Sequence, residues 1–256
     1  MNNNKDVHGD YTVRRPVVQI KEIIGVLCMV AASAVLSGCS ARSDPTNPSA
    51  SVKITEQELE IRGFIDESTI AQIRALQSNY DFTRIRVHVE DGDPLATMQL
   101  GYFIYRRELD LVVDTACLGA CANYLFTAAK TKYLGPESIV AWSGGAMSSS
   151  WTQQNQRYLV PGARFVAEQY MDAFLRREIR YFERIGVAQA VTHYGYEEAS
   201  GCPLGSRGFY YTVPELLRFG IADIQLAHGD WRTAFDHYPD TFCQVNLSRE
   251  IDVISN

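Results

Sequence analysis

The stretch Leu109–Gly145, LDLVVDTACLGACANYLFTAAKTKYLGPESIVAWSGG, decides how the rest of the chain is read. Leu109 to Val113 is a short, nearly all-apolar run, which fits a strand buried on both faces of a parallel sheet. A tight Cys-Leu-Gly-Ala-Cys turn follows, and from Ala120 to Lys130 the apolar residues recur at helical spacing. Lys132 to Leu134 and Ser138 to Trp142 read as two further short strands, split by the turn pair Gly135-Pro136. The order is therefore strand, sharp turn, helix, strand, glycine-rich loop.

That order, carried by these residues, resembles the Clp protease/crotonase superfamily, and within it the small secreted bacterial branch. In that branch the turn usually reads Cys-x-Ser-x-Cys, with Ser as nucleophile at the helix N-terminus. The later strand ends in a His base, commonly as Trp-His-Gly-Gly. The matching positions here are Cys117-Leu118-Gly119-Ala120-Cys121 and Trp142-Ser143-Gly144-Gly145, so the frame is kept while Gly119 and Ser143 stand where the nucleophile and base are expected. The resemblance covers roughly Glu58 to Ile224. It implies an α/β fold of repeated ββα units, with a mostly parallel sheet flanked by helices.

Upstream, Glu58 to Phe64 alternates polar and apolar residues as a half-buried strand does, and Gly63 resembles the family's first strand-to-helix glycine. Asp66 can cap a helix running to Ser78, and Ile85 to Val89 is the next strand. Then comes Glu90-Asp91-Gly92-Asp93-Pro94, where family members commonly place Ser-Gly-Gly-Asp, and a helical pattern from Leu95 to Arg106. In the family the glycine pair turns backbone N–H groups toward the substrate carbonyl as an oxyanion hole. Gly92 is kept; Asp91 replaces the other glycine and would set negative charge beside a developing oxyanion. The plainer reading of Asp91-Gly92 is a turn that ends a strand.

The N-terminus reads as a targeting segment. Ile23 to Leu36 is apolar and is preceded by Arg14, Arg15 and Lys21, as in a secretory signal. The run is too short for a bilayer span, which takes about 20 residues. Leu36-Ser37-Gly38-Cys39 then resembles a bacterial lipobox, with Cys39 as the lipidated residue. The expected division is a signal peptide over 1–38, lipidated Cys39 with a polar tether over 39–52, and a Clp/crotonase-like domain over 53–256. Ser40, rather than Asp, after the lipidated Cys resembles lipoproteins sorted to the outer membrane.

Downstream, Ala146 to Gln156 is polar and serine-rich and reads as a loop or lid, in which Ser148 to Ser150 and Trp151 could line a peptide groove. Pro161 to Arg184 reads as a long amphipathic helix and Gly186 to Tyr196 as a second short helix. Tyr210 to Ile221 reads as a strand, then a helix capped by Thr212 with Pro214 in its first turn, closed by Gly220. Besides Cys39, the residues Cys117, Cys121, Cys202 and Cys243 allow three pairings; the expected ones are Cys117 with Cys121 and Cys202 with Cys243. The first is geometrically tight at a helix start.

A chain of 256 residues, 46% hydrophobic and 21% charged, is long enough for one domain with a substantial core. A net charge of −6, with no basic block beyond Arg106-Arg107 and Arg176-Arg177, gives no reason to expect nucleic acid as a partner. No metal-ligand spacing is present, and no metal or cofactor is expected. His88, His193, His228 and His237 read as structural or surface histidines rather than a rebuilt base. An acyl-CoA role is disfavoured by export, and self-association is implied by the resemblance alone.

Two functional readings follow. One is a lipid-anchored envelope protein whose Clp-like domain has lost peptidase activity and serves binding of a peptide or protein, or assembly. The other is an active periplasmic hydrolase using Cys121, near a helix N-terminus that favours a thiolate, or Ser143 as nucleophile. Absence of the nucleophile, the base and one oxyanion glycine favours the first.

Overall fold

The computed structural model of the protein describes residues 47–146, 161–203, 205–227, 231–238 and 241–247. The signal segment, Cys39, most of the tether, the serine-rich stretch after Ala146 and His228 lie outside the described residues. Strands β1 (Ser51–Thr55), β2 (Glu58–Arg62) and β3 (Arg84–Val89) are set by alternation. Leu59, Ile61, Ile85, Val87 and Val89 are buried, and the alternate residues Glu58, Glu60, Arg62, Arg84, Arg86 and His88 point to the other face. A period of two can satisfy only one apolar face, so these strands share one core side.

The strands that follow are β4 (Asp110–Leu118), β5 (Lys132–Leu134), β6 (Ile139–Ala141), β7 (Gly208–Tyr210), β8 (Ile224–Leu226) and β9 (Phe242–Gln244). The main sheet has the order β1-β2-β3-β4-β5-β8, with β6 also on β4; only β1 is antiparallel. Strand β4 is forked. Its first half, Leu111 to Val113, pairs with β5, and its second half, Ala116 to Leu118, pairs with β6. Between the halves, Val87 to Val89 on β3 spans the same rungs as Val113 to Cys117 on β4, a bulge that re-aims the strand. Strand β7 pairs with β9 as a second small sheet and is bridged to Trp142 at the end of β6.

The helices are α1 (Glu67–Gln77), α2 (Pro94–Arg107), the π-type turn α3 (Cys121–Phe126), α4 (Pro161–Ile185) and α5 (Val213–Arg218). The fold is thus α/β, a mostly parallel sheet with helices beside it. Asp66 caps α1 reciprocally: Thr69 N–H donates to Asp66 Oδ1 at 2.8 Å and Asp66 N–H donates to Thr69 Oγ1 at 3.3 Å. Asp93 caps α2, with Pro94 in its first turn. At Gly101 a Cβ would stand 2.4 Å from both Tyr124 O and Tyr181 Oη, so glycine is what lets α2 close on α3 and α4. Glu215 accepts from the Thr212 backbone N–H at 2.7 Å and from its hydroxyl at 2.8 Å, which starts α5.

Four expectations are corrected. The first half of β4 is buried on one face only: Leu111 and Val113 are buried, while Asp110, Val112 and Asp114 face a charged layer. There Arg86 pairs with Glu58 at 2.9 Å and Arg62 with Asp114 at 2.5 Å, a lattice that stands where a second helical layer would otherwise cover the sheet. The Cys117–Cys121 segment is less turn than expected, since Cys117 and Leu118 complete β4 and Gly119 alone bends the chain. Residues 186–196 form two 3-10 turns, Gln189–Thr192 and Tyr194–Tyr196, because Gly186 takes φ +71° and ends the helical run. The tether stops short of Val52, since β1 begins at Ser51 and Ala50 N–H already donates to Phe64 O at 2.7 Å.

The cysteines pair as Cys117–Cys121 and Cys202–Cys243. The second closes a loop with a sequence separation of 41 and ties the segment before β7 to β9. Replacing Cys202 and Cys243 together by Ser is expected to lower stability by about 3–4 kcal/mol in the chain-entropy account. The check is the urea midpoint of the double variant, which should fall well below that of the parent.

Candidate functional site

Three strand ends converge at the C-terminal edge of the parallel sheet: the loop after β3, the turn after β4 and the loop after β6. Gly119 turns the chain at φ +53°, a left-handed conformation that favours glycine. Its N–H donates to Ala141 O at 3.0 Å, and its carbonyl accepts the Asn123 N–H at 2.9 Å. The turn is thereby tied to both β6 and α3. The disulfide Cys117–Cys121, with Cα atoms 5.1 Å apart, straddles it, and both cysteines are fully buried. That bond takes up the Cys121 sulfur, so the thiolate expected as an alternative nucleophile does not exist here.

Asp91 fills the space in front of Gly119. A Cβ on Gly119 would lie 3.1 Å from Asp91 Oδ1 and 3.1 Å from Ser143 Oγ. Gly92 N–H donates to Asp91 Oδ1 at 2.8 Å, and the backbone N–H of Ala120 also favours the charged carboxylate. Burial outweighs these donors and pushes the Asp91 carboxyl above its usual value near 3.8. The sequence pattern placed Asp91 beside an oxyanion hole. In the fold its own carboxylate sits on the Gly92 N–H that such a hole would need.

Ser143 is exposed, next to the fully buried Trp142. Among the described residues its hydroxyl is hydrogen-bonded to no imidazole. His88 pairs through Nδ1 with the Thr115 hydroxyl, which the β4 bulge turns outward. His193 pairs with Glu197 at 3.2 Å. His237 is exposed on the rim of a neighbouring cavity. A nucleophile needs its base at hydrogen-bond distance, about 2.6–3.2 Å, and Ser143 has none among the described residues.

Two cavities meet at this point. One of about 510 Å³ is lined by His88, Glu90, Gly119, Arg207 and His237. The other, of about 360 Å³, is lined by Phe64, Gly92, Asn123, Tyr170 and Phe174. Asp91 and Ser143 line both and form the partition.

Behind the partition lies a residue that the sequence reading passed over. Glu178 of α4 is fully buried and accepts three hydrogen bonds, from Tyr124 OH at 2.6 Å, Ala146 N–H at 3.0 Å and Gln189 Nε2 at 2.6 Å. Burial raises its carboxyl while those donors pull it down. It holds the loop after β6 onto α4, and a Cβ on Gly145 would come within 2.7 Å of its Oε1. The signal was present in the sequence: Glu178 falls four residues after Phe174, on the apolar stripe of the helix. Asn123 Nδ2 fixes the same loop by donating to Gly144 O at 2.8 Å. Among the described residues, no group of three His, Cys, Asp or Glu is placed to hold a metal ion.

No sequence-family model and no curated protein matches the chain. Solved structures do. An enoyl-CoA hydratase/isomerase from Marinobacter aquaeolei aligns over 75% of this chain and 74% of its own, at 11% identity and a TM-score of 0.40. An enoyl-CoA hydratase from Streptomyces coelicolor A3(2), itself only assigned as such, aligns over 78% and 74% at 15% identity and a TM-score of 0.35. A methylmalonyl CoA decarboxylase complexed with 2S-carboxypropyl CoA aligns over 37% of this chain, at 10% identity and a TM-score of 0.29. The chain spans about half the length of that decarboxylase, 49%. These are likenesses of fold at low identity; the α/β assignment stands on the strand order described above.

A group whose carboxyl is raised by folding contributes stability that is fully present below its unfolded value and lost as pH rises through the folded one. For Asp91 the loss begins above about pH 3.8. Asp91→Asn, which keeps an oxygen for the Gly92 N–H, is therefore expected to be more stable than the parent at neutral pH. The gap should close as the pH falls toward 3.8, in denaturant midpoints measured across that range.

Proposed function

We propose that the chain is a bacterial envelope lipoprotein, anchored through a lipid on Cys39, whose Clp/crotonase-like domain binds a peptide or protein partner without cutting it. The observation that carries this reading is the crowding in front of Gly119. The position that resembles the family's nucleophile lacks a side chain, its backbone is left-handed, and a Cβ there would press on Asp91 Oδ1 and Ser143 Oγ, each 3.1 Å away. A carboxylate in that place opposes a developing oxyanion instead of stabilising it. The hydrolase alternative has lost Cys121 to a disulfide, and Ser143 lacks a base among the described residues.

Binding needs a surface and not a reacting centre. The two cavities on either side of Asp91 and Ser143 supply a concave groove at the C-terminal ends of parallel strands, where α/β sheets commonly receive ligands. The lipid anchor and the position in the outer membrane, facing the periplasm, rest on the Leu36-Ser37-Gly38-Cys39 pattern and on Ser40. The two disulfides agree with an oxidising compartment. Among the described residues no helix is long and apolar enough to cross a membrane.

The reading is tested by treating the purified mature protein with a fluorophosphonate and with iodoacetamide. No labelling is expected with either, and stoichiometric labelling of Ser143 that disappears on denaturation would overturn it. Gly119→Ser, which restores the family's nucleophile, should gain no labelling. It should also cost about 1–2 kcal/mol, because a side chain is forced into a left-handed, crowded position. Metabolic labelling with palmitate should be lost in Cys39→Ser.

A further inference from the structure

Helix α4 divides its charge sharply. Its buried side carries Phe174, Glu178, Tyr181 and Phe182. Its outer side exposes Arg176, Arg177, Arg180 and Arg184. At 100° per residue these four guanidinium groups fall within an arc of roughly 100° and span about 12 Å along the axis. Asp172 and Glu183 lie along one edge of the arc, and among the described residues neither pairs with an arginine. Among the described residues none of the four enters a hydrogen bond or an ion pair; Arg177 only faces Tyr170, on which it acts as a nearby positive charge. The chain as a whole carries a net charge of −6, so this stripe has the opposite sign to the molecule.

The position of the stripe relative to the tether gives it a partner. Ser49 bridges Phe64, and Ala50 donates to the Phe64 carbonyl at 2.7 Å, so the chain enters the domain beside Phe64. Phe64 lines the smaller cavity together with Tyr170 and Phe174 of α4. The entry point therefore lies by the same cavity as Tyr170 and Phe174, the part of α4 just before the arginine stripe. The residues from Cys39 to Ser49 can reach at most roughly 35 Å fully extended, which keeps this end near whatever holds Cys39.

We propose that the exposed arginine face of α4 docks on the anionic phospholipid headgroups of the bilayer to which the chain is anchored. This placement rests on the lipoprotein reading above. Each basic residue near an anionic bilayer strengthens association by roughly fivefold, and a short tether supplies a high effective concentration, so a four-arginine face suffices to orient the domain. Docked in this way, α4 faces the membrane while the opposite, charged face of the main sheet faces away from it.

The test uses the full mature lipidated chain, in which Glu183→Cys supplies the one free thiol, since Cys39 carries the lipid and the other cysteines are paired. The thiol carries a fluorophore, and the chain is reconstituted into vesicles doped with headgroup-nitroxide lipid. Vesicles of pure phosphatidylcholine are compared with vesicles containing about 30 mol % phosphatidylglycerol. Quenching is expected to be at least about twofold greater with phosphatidylglycerol and to fall to the phosphatidylcholine level in about 0.5 M NaCl. The variant R176Q/R177Q/R180Q/R184Q should show that low level throughout, with an unchanged thermal midpoint. Equal quenching in both vesicle types, while the chain floats with both, overturns the docking and leaves the anchor standing. A chain that floats with neither overturns the anchor, and the docking with it. Quenching that survives in the glutamine variant also overturns the proposal.

Discussion

The Asp91 carboxylate lies against the Gly119 turn and accepts the Gly92 N–H at 2.8 Å, although Asp91 keeps an exposed flank on the larger cavity. A carboxylate that turns inward is favoured where donors meet it, and the donors here are backbone groups of Gly92 in the loop after β3 and of Ala120, the residue before α3. Two segments that belong to different strands are thereby joined through one side chain. The same contact fills the space before Gly119 and separates the two cavities. A side chain at position 119 would press on the Asp91 carboxylate and on the Ser143 hydroxyl, and among the described residues no imidazole is hydrogen-bonded to that hydroxyl.

Glu178 performs the matching task on the other side of the loop after β6. Its three hydrogen bonds come from α3, from the loop and from the 3-10 turn after α4, so one buried carboxylate fixes the mutual positions of three segments. Hydrogen bonds to a charged acceptor are stronger than neutral ones, and a buried donor left unpaired is penalised heavily. Glycine at position 145 completes the arrangement, since the loop passes too close to Glu178 and Thr192 for a side chain. The groove is thus held by two acids, neither of which pairs with a cation among the described residues.

Much of the frame could be read from the residues alone. Alternation in Glu58–Phe64 and Ile85–Val89, the Asp66 and Thr212 caps, and the apolar period of Pro161–Arg184 each depend on neighbours close in sequence, and each element formed where they indicate. Of the three pairings that the sequence leaves open for the cysteines, the favoured one is the one formed. The features that escaped all depend on contacts between distant segments. Nothing within Leu109–Leu118 tells that its two halves pair with different strands, and nothing within Glu90–Pro94 tells that Asp91 would stand against Gly119. The charged layer over β4 was missed because a run such as LVV looks alike whether one face or both are covered. Glu178 was visible as an acid on an apolar stripe, yet only the fold shows which donors meet it.

The forked strand has a mechanical consequence. Strand β6 shares rungs with β4 but none with β5, and Trp142 and Phe209 exchange two backbone hydrogen bonds of 2.8 Å each. Strand β7 in turn is locked to β9 and stapled by Cys202–Cys243. A load applied to that outer ribbon, by a partner gripping it, would travel through Trp142 straight to Ser143 and the wall between the cavities. The same load would pass into the long sheet through the three rungs that β6 shares with the far half of β4. The outer ribbon and the groove wall are therefore joined through adjacent residues, 142 and 143, so what is bound at one is felt at the other.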